Sequence, residues 1–129
     1  MAESRRTKRT VWILAGESSG DLYGARLAAE LYKRQPALTV RGMGMGAMHE
    51  AGVEVLVDSS ELGVVGLVEA LKHIRTFYRV FHGLLERARK ERPNCVVLID
   101  YPGFNIRFAK RLHRLGIPVV YYVCPQVWA

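Results

Sequence analysis

The chain has 129 residues, of which half are hydrophobic and about a quarter charged; this composition predicts one globular domain and excludes an intrinsically disordered protein. Its two cysteines, Cys95 and Cys124, lie in apolar runs, and no His or Cys cluster has zinc-ligand spacing. The sequence therefore excludes a disulfide-stapled scaffold and predicts no metal site. It contains no run of the roughly 20 apolar residues that span a bilayer. The apolar run at 11–16 is too short for a secretion signal, so the sequence predicts a cytoplasmic protein.

The formal net charge of +7 is concentrated in two segments. Residues 1–10 contain four Arg or Lys and one acid, and we predict that they form a disordered basic arm. Residues 72–92 contain seven Arg or Lys and two acids. Such clusters favour an anionic partner, either a membrane surface or a nucleic acid. Because the cations lie among aliphatic residues and not among aromatic stacking platforms, we predict no nucleic-acid partner.

In the first half of the chain, apolar periodicity and turn residues predict alternating strands and helices. The predicted elements are a strand at 11–14, a helix at 20–34 that ends before Pro36, a strand at 38–42, a short helix at 47–51 and a strand at 53–57. The glycine-rich segment at 42–46 is predicted to be a flexible loop. The apolar residues expected on the inner face of the first helix are Leu22, Ala25, Ala29 and Tyr32.

The second half continues the alternation. It predicts a long helix at 62–92, a continuous apolar strand at 94–100, a helix at 104–115 and a strand at 117–123. An unbroken apolar run is typical of a parallel strand that is buried on both faces. The whole pattern predicts an α/β fold with a doubly wound parallel sheet.

The helix at 62–92 is more apolar than one buried face requires. The residues that form a single stripe are Leu67, Leu71, Ile74, Tyr78, Phe81, Leu85 and Ala88, and the apolar residues outside it are Val64, Val65, Val68, Phe77, Val80 and Leu84. Two interpretations stay open. The helix is either buried between two layers, or it lies at a membrane surface with its extra apolar residues in the acyl region and its cations on lipid phosphates.

Residues 15–21, with the sequence AGESSGD, join the first strand to the first helix. The free N–H groups of a helix start point back at such a loop, where an α/β sheet binds small molecules. The segment is neither a G-x-G-x-x-G fingerprint nor a P-loop. It is either a ligand site in which Glu17 orients polar groups, or a turn stabilised by a capping box between Ser18 and Asp21.

Asp100 ends the most apolar strand. A carboxylate at this place can take a proton from a substrate hydroxyl. Alternatively, Asp100 is a turn-former before Pro102 or a cap for the next helix. Since Glu17 and Asp100 each follow a strand, we predict that both carboxylates lie at the carboxyl edge of the sheet and open into one cleft.

Four segments taken together, at 15–21 (AGESSGD), 63–69 (GVVGLVE), 99–105 (IDYPGFN) and 122–129 (YVCPQVWA), resemble the lipid-A-disaccharide synthase family in order and spacing over residues 12–129. The resemblance implies the N-terminal, Rossmann-like half of an inverting glycosyltransferase with the two-domain GT-B architecture. The implied reaction joins UDP-2,3-diacylglucosamine to the 6-hydroxyl of 2,3-diacylglucosamine 1-phosphate in lipid A biosynthesis, without a metal or other cofactor. Cys124 stands where the family usually has serine.

The resemblance also implies roles for individual residues. Asp100 matches the general base, and the expected substrate-binding residues are Glu17, Ser18, Ser19, Gly20 and Asn105. The residues expected to contact acyl chains or the membrane are Val68, Leu71, Ile74, Phe77 and Tyr78.

Residues 11–129 are then an acceptor-side domain, truncated before the C-terminal nucleotide-sugar domain and inactive alone. The enzyme is expected at the inner face of the cytoplasmic membrane, on an anionic surface. The alternative is a non-catalytic lipid- or nucleotide-binding module.

Overall fold

A computed structural model describes residues 9–62 and 67–122 of the chain, with side chains at all of these positions except Glu61 and 67–73. Several predictions lie outside this part: most of the basic arm at 1–10, the loop at 63–66, Cys124 with the segment at 123–129, and the side chains of Val68 and Leu71. Within it, Cys95 is half-buried, and burial raises the pKa of its thiol.

Strands and helices alternate along the whole described chain. The elements are β1 (Thr10–Ala15), α1 (Ser18–Arg34), β2 (Thr39–Gly44), α2 (Gly46–Glu50), β3 (Glu54–Asp58), a 3-10 helix (Ser59–Leu62), α3 (Leu67–Glu91), β4 (Cys95–Ile99), α4 (Pro102–Arg114) and β5 (Val119–Tyr122). Every predicted strand and helix is present, with differences at the ends. Thr10, assigned to the arm from the sequence, is the first residue of β1.

All five strands are parallel, in the order β3-β2-β1-β4-β5. The chain first builds the sheet outward from β1 through β2 to β3, then returns to the other side of β1 for β4 and β5. This reversal confirms the doubly wound, Rossmann-like α/β fold. It also makes β1 the central strand, and Trp12, Ile13 and Leu14 on it are completely buried.

The sheet carries a hydrophobic core on each face, because successive side chains of a strand point to opposite sides. Helices α3 and α4 cover the face of Trp12 and Leu14. Helices α1 and α2 cover the face of Ile13 and Ala15. Both faces of β1 and β4 are therefore apolar, which explains the unbroken hydrophobic run that the sequence shows at β4.

Helix α1 packs on the sheet through its small residues. Gly24 and Ala28 are buried, whereas Leu22 is 55% exposed and Ala29 is also exposed. The predicted inner face is therefore wrong at these two positions. A Cβ atom added to Gly24 would lie 3.2 Å from Cγ2 of Ile13 and 2.7 Å from the Met48 sulfur, so the close approach of helix and sheet requires glycine.

The segment predicted to be a flexible loop at 42–46 belongs largely to β2. Met43 is completely buried, and Gly42 and Gly44 are strand residues beside it. A Cβ atom on Gly42 would lie 1.9 Å from the backbone oxygen of Ile13 in β1. Here glycine permits close strand pairing, and the prediction of a flexible loop is wrong.

Helix α3 is rotated relative to the stripe that the sequence predicts. Val80 and Leu84, counted as excess apolar residues, are buried in the core, while Ile74 and Tyr78 from the stripe are 48% and 52% exposed. The buried side is broad because α3 packs both on the sheet and on α4, where Phe81 contacts Phe104 and Phe108. Along 74–91, α3 therefore has one core side and one exposed side that carries His82, Glu86 and Arg87, so this part of the helix is not buried between two layers. Ile74 and Tyr78 are also exposed.

Candidate functional site at the carboxyl edge of the sheet

Two loops follow neighbouring strands at the edge where the strands end. Ala15, the last residue of β1, pairs with Ile99, the last residue of β4. The first loop, Gly16 and Glu17, comes directly after Ala15, and the second loop, Asp100 and Tyr101, comes directly after Ile99. Because β1 and β4 are parallel neighbours, the prediction that both carboxylates lie at the carboxyl edge is confirmed.

The first loop leaves its carboxylate exposed. Glu17 is the N-cap residue of α1, but its side chain makes no capping hydrogen bond. Ser18 and Ser19 are exposed beside it, whereas Gly20 is buried against the sheet. A Cβ atom on Gly20 would lie 3.2 Å from that of Ala15, so glycine lets the first turn of α1 approach the end of β1. The Glu17, Ser18 and Ser19 side chains are thus accessible at the N-terminus of a helix, where anionic groups bind well.

Asp21 does not complete the predicted capping box with Ser18. Its side chain is only 5% exposed and points at the start of α2. The carboxylate accepts hydrogen bonds from the backbone N–H groups of Met45 (2.8 Å), Ala47 (2.9 Å) and Met48 (3.0 Å). It therefore caps a different helix from the one that contains it, and the capping-box interpretation is wrong. The last acid of the AGESSGD motif has a structural role at the end of β2.

The second loop has an uncommon backbone conformation. Asp100 and Tyr101 have φ values of 45° and 51°, so two successive non-glycine residues are left-handed. Each such residue costs about 1–3 kcal/mol and persists only where the surrounding structure imposes it, which is typical of functional sites. Helix α4 begins at Pro102 and its N-cap is Tyr101, without a side-chain capping bond. Asp100 is therefore not the cap of α4.

The ring of Tyr101 joins the two loops. A Cβ atom on Gly16 would lie 2.2 to 2.6 Å from three carbon atoms of this ring, so only glycine leaves room for it there. The ring also stacks on Phe104, with 6.0 Å between the ring centroids. Burial, and then the negative charge of Glu17, raise the pKa of the Tyr101 hydroxyl, which stays protonated at neutral pH.

Asn105 lies under the second loop and is completely buried. Its amide nitrogen is 3.0 Å from the backbone oxygen of Asp100, and 3.3 Å from the backbone oxygens of both Leu14 and Ile99. One side chain therefore connects the ends of β1 and β4 to the loop between β4 and α4. Asn105 contacts the backbone of Asp100, and its burial places it beneath the exposed surface of the loops.

A second feature, the α3–α4 groove, lies on the outer surface between these two helices. Its volume is about 310 Å³. Its lining residues are Phe77, Tyr78, Phe81 and His82 from α3, and Arg107, Lys110, Arg111 and Arg114 from α4. No carboxylate lines it, and among the described residues none of the four α4 cations has an ion-pair partner.

Three important features of the structure were not predicted from the sequence. These are the four α4 cations, the cap that Asp21 provides for α2, and Tyr121, whose hydroxyl donates to the backbone oxygen of Asp100 at 2.7 Å. The cations have a signal in the sequence, because the spacing 107, 110, 111 and 114 places them on one face of a helix. The bonds of Asp21 and Tyr121 span many residues and have no local signal.

In residues 9–62 and 67–122, no three His, Cys, Asp or Glu side chains gather as a metal ion would require. Among the helices of the same ranges, none is long and apolar enough to cross a bilayer.

Comparison with known proteins identifies the family. The family model for lipid-A-disaccharide synthetase matches residues 11–129. The lipid-A-disaccharide synthase of Geobacter sulfurreducens is 47% identical over 126 residues, which are 98% of this chain and 33% of the relative. That of Coxiella burnetii is 46% identical over 95% of this chain and 33% of the relative. That of Koribacter versatilis is 48% identical over 92% of this chain and 31% of the relative.

A solved structure of a UGT transferase from Siraitia grosvenorii in complex with UDP has a TM-score of 0.56 to this chain at 14% identity. The likeness covers 88% of this chain and 27% of the transferase, and at this identity it shows the shared fold alone. It agrees with the expected half of a GT-B architecture. The chain spans about a third of the length of the curated relatives it matches. The matching family model and these relatives show that the chain belongs to the lipid-A-disaccharide synthase family.

Proposed function

We propose that this chain is the acceptor-side part of a lipid-A-disaccharide synthase in which Asp100 is the general base. The observation that carries the proposal is the position of Asp100. It is a half-buried carboxylate on a left-handed turn, directly after a buried strand and at the same edge as the Gly16–Glu17 loop. A carboxylate fixed in this way can receive a proton from a hydroxyl within hydrogen-bonding distance.

The proposed step is an inverting glycosyl transfer. The 6-oxygen of 2,3-diacylglucosamine 1-phosphate forms a bond to the anomeric carbon of UDP-2,3-diacylglucosamine. The bond from that carbon to the UDP oxygen breaks, its electron pair leaves with UDP, and the hydroxyl proton passes to Asp100. Attack on the face opposite UDP inverts the anomeric configuration. Glu17, Ser18 and Ser19 orient polar groups of the bound sugar from the exposed start of α1.

A transfer assay with these two substrates tests the proposal. The full-length form, in which this chain is followed by the remaining two thirds of the family sequence, is expected to release UDP and form the disaccharide. The 129-residue chain alone is expected to form none, because we assign most UDP contacts to the two thirds of the family sequence that this chain does not span. Disaccharide formation by the chain alone, at a rate near that of the full-length form, would contradict this division. The non-catalytic alternative predicts no product from either protein.

We also propose that the face formed by α3 and α4 meets an anionic membrane from the cytoplasmic side. Ile74 and Tyr78 are exposed on α3, and the four cations of α4 line the groove beside Tyr78. Exposed apolar groups next to unpaired cations suit a surface of acyl chains below lipid phosphates. Phe77 is a poorer candidate for lipid contact, because its ring packs against Phe104 with 5.4 Å between centroids.

Vesicle flotation tests this face. Arg107→Gln with Arg111→Gln removes two cations that are each worth about 1 kcal/mol near an anionic surface, so binding to phosphatidylglycerol vesicles should fall roughly 30-fold. Binding to pure phosphatidylcholine should change little. Ile74→Ser with Tyr78→Ser should weaken binding to both vesicles.

Leu22→Ser is the matched control, because Leu22 is equally exposed but lies on α1, which covers the opposite face of the sheet. Flotation that is unchanged in the α3 and α4 variants, or lowered as much by Leu22→Ser, would reject this face as the membrane contact.

A further inference from the structure

The backbone oxygen of Asp100 accepts hydrogen bonds from two side chains on different elements. The Tyr121 hydroxyl, on β5, donates at 2.7 Å, and the Asn105 amide, on α4, donates at 3.0 Å. A carbonyl has two lone pairs, so both bonds can form together. The peptide that joins Asp100 to Tyr101 is therefore held by two side chains at the carbonyl group of Asp100, the residue that we assign as the base.

These two hydrogen bonds hold a part of the backbone that would otherwise leave its left-handed conformation. Asp100 and Tyr101 are both left-handed, a conformation that non-glycine residues leave unless their neighbours oppose it. The contact between the Tyr101 ring and Gly16 restrains the side chain of Tyr101. The two hydrogen bonds restrain the carbonyl of Asp100. The direction of the Asp100 side chain follows from the same backbone torsion angles.

Asn105 contacts the ends of two core strands as well as the loop that contains Asp100. Its NH₂ group has two hydrogens for three nearby backbone oxygens, those of Leu14, Ile99 and Asp100. Rotating the amide would bring its oxygen against these three oxygens, so the orientation is defined. Its replacement would disturb β1, β4 and the loop together. Tyr121 offers the cleaner test, because its hydroxyl can be removed without changing the ring.

We propose that Tyr121 is a positioning residue for Asp100: its hydroxyl, through the bond to the Asp100 backbone oxygen, holds the left-handed turn that directs the carboxylate into the site. This inference rests on the proposed role of Asp100. Tyr121 has no contact with the reacting atoms in this scheme. It acts on the rate only through the direction of the Asp100 side chain, and this restriction makes the inference testable.

A double-mutant cycle in the full-length form separates positioning from general stabilisation. Tyr121→Phe is expected to lower kcat about 10-fold with little change in KM, because a small misplacement of a catalytic group costs rate more than binding. In the Asp100→Asn background the same substitution should change kcat less than about 2-fold, since no base is left to position. An equal loss in both backgrounds would overturn the inference, as would unchanged kcat in Tyr121→Phe alone.

Tyr32→Phe is the matched control. The Tyr32 hydroxyl donates to a backbone oxygen, that of Gly52, at 2.9 Å, and lies in the α1–α2 part of the fold. Its removal should leave kcat within about 2-fold of the parent protein, although it deletes the same kind of bond. A loss of kcat as large as that of Tyr121→Phe would mean that the effect is structural. If Asp100→Asn alone keeps full turnover, the proposed base fails, and this result is distinct from an additive cycle.

Discussion

Asp100→Asn in the full-length form is expected to lower kcat by about 10²–10⁴-fold, the usual contribution of a general base. The amide keeps the shape of the side chain but cannot accept the proton of the attacking hydroxyl. Asparagine adopts the left-handed conformation as readily as aspartate, so the turn at φ 45° should persist and the melting temperature should stay the same. KM should also change little, because the carboxylate matters mainly as the hydroxyl loses its proton.

The transfer assay and a thermal melt of the same preparation check this prediction. Near-normal turnover with a lowered melting temperature would mean that Asp100 only shapes the turn. Glu17→Gln is the comparison variant from the neighbouring loop. It should give a smaller loss of rate than Asp100→Asn, because we assign Glu17 to orienting the ligand and not to moving the proton.

Asp21→Ala is expected to destabilise the fold by about 2–3 kcal/mol, because it leaves one buried and two half-buried backbone N–H groups without their acceptor. The lost acceptor serves Met45, Ala47 and Met48, and Asp21 itself is only 5% exposed. A change of this size lowers the melting temperature of a domain of this length by about 10 °C. Thermal unfolding of the chain followed by circular dichroism measures it.

Asp58→Ala is the matched control for this cap. The Asp58 carboxylate also accepts a backbone N–H, that of Ser60 at 2.9 Å, but it is exposed, so water can replace it. The hydrogen bonds from Ser60 lower the pKa of this carboxyl. Its loss should cost less than about 1 kcal/mol. Equal melting temperatures for the two variants would contradict the structural role given to Asp21.

The local sequence pattern predicted the structure correctly where the burial of a residue depends mainly on the strand or helix that contains it. The continuous apolar run before Asp100 predicted a strand buried on both faces, and the structure places β4 inside the sheet, between β1 and β5, with that burial. Alternation of strands and helices predicted the doubly wound sheet, because parallel strands need crossover helices. From these two inferences it followed that Glu17 and Asp100 lie at one edge.

The local sequence pattern predicted the structure wrongly where the distance between packed strands and helices decides which residues are buried. The glycines at 42 and 44 predicted a loop, but both are strand residues: Gly42 leaves room for the backbone of β1, and Gly44 leaves room for the side chains of Met48 and Asp21. Leu22 was expected in the core for its hydrophobicity, yet the sheet accepts only the small face of α1. The excess apolar residues of α3, Val80 and Leu84, belong to the core on the face of the sheet that α3 and α4 cover, where Leu56 and Val57 of β3 lie close to them.

The sequence by itself determined the family resemblance, the order of the elements and the position of both carboxylates, since each can be read from short motifs and from their order along the chain. Only the tertiary structure decided which distant side chains contact the two loops and the start of α2. The Tyr101 ring meets Gly16, the Asp21 carboxylate reaches α2, and the Tyr121 hydroxyl reaches the Asp100 backbone. These contacts join residues that are 21 to 85 positions apart in the chain. Their geometry exists only after the strands have paired, because strand pairing fixes the distances between the loops, and no local conformational preference encodes those distances.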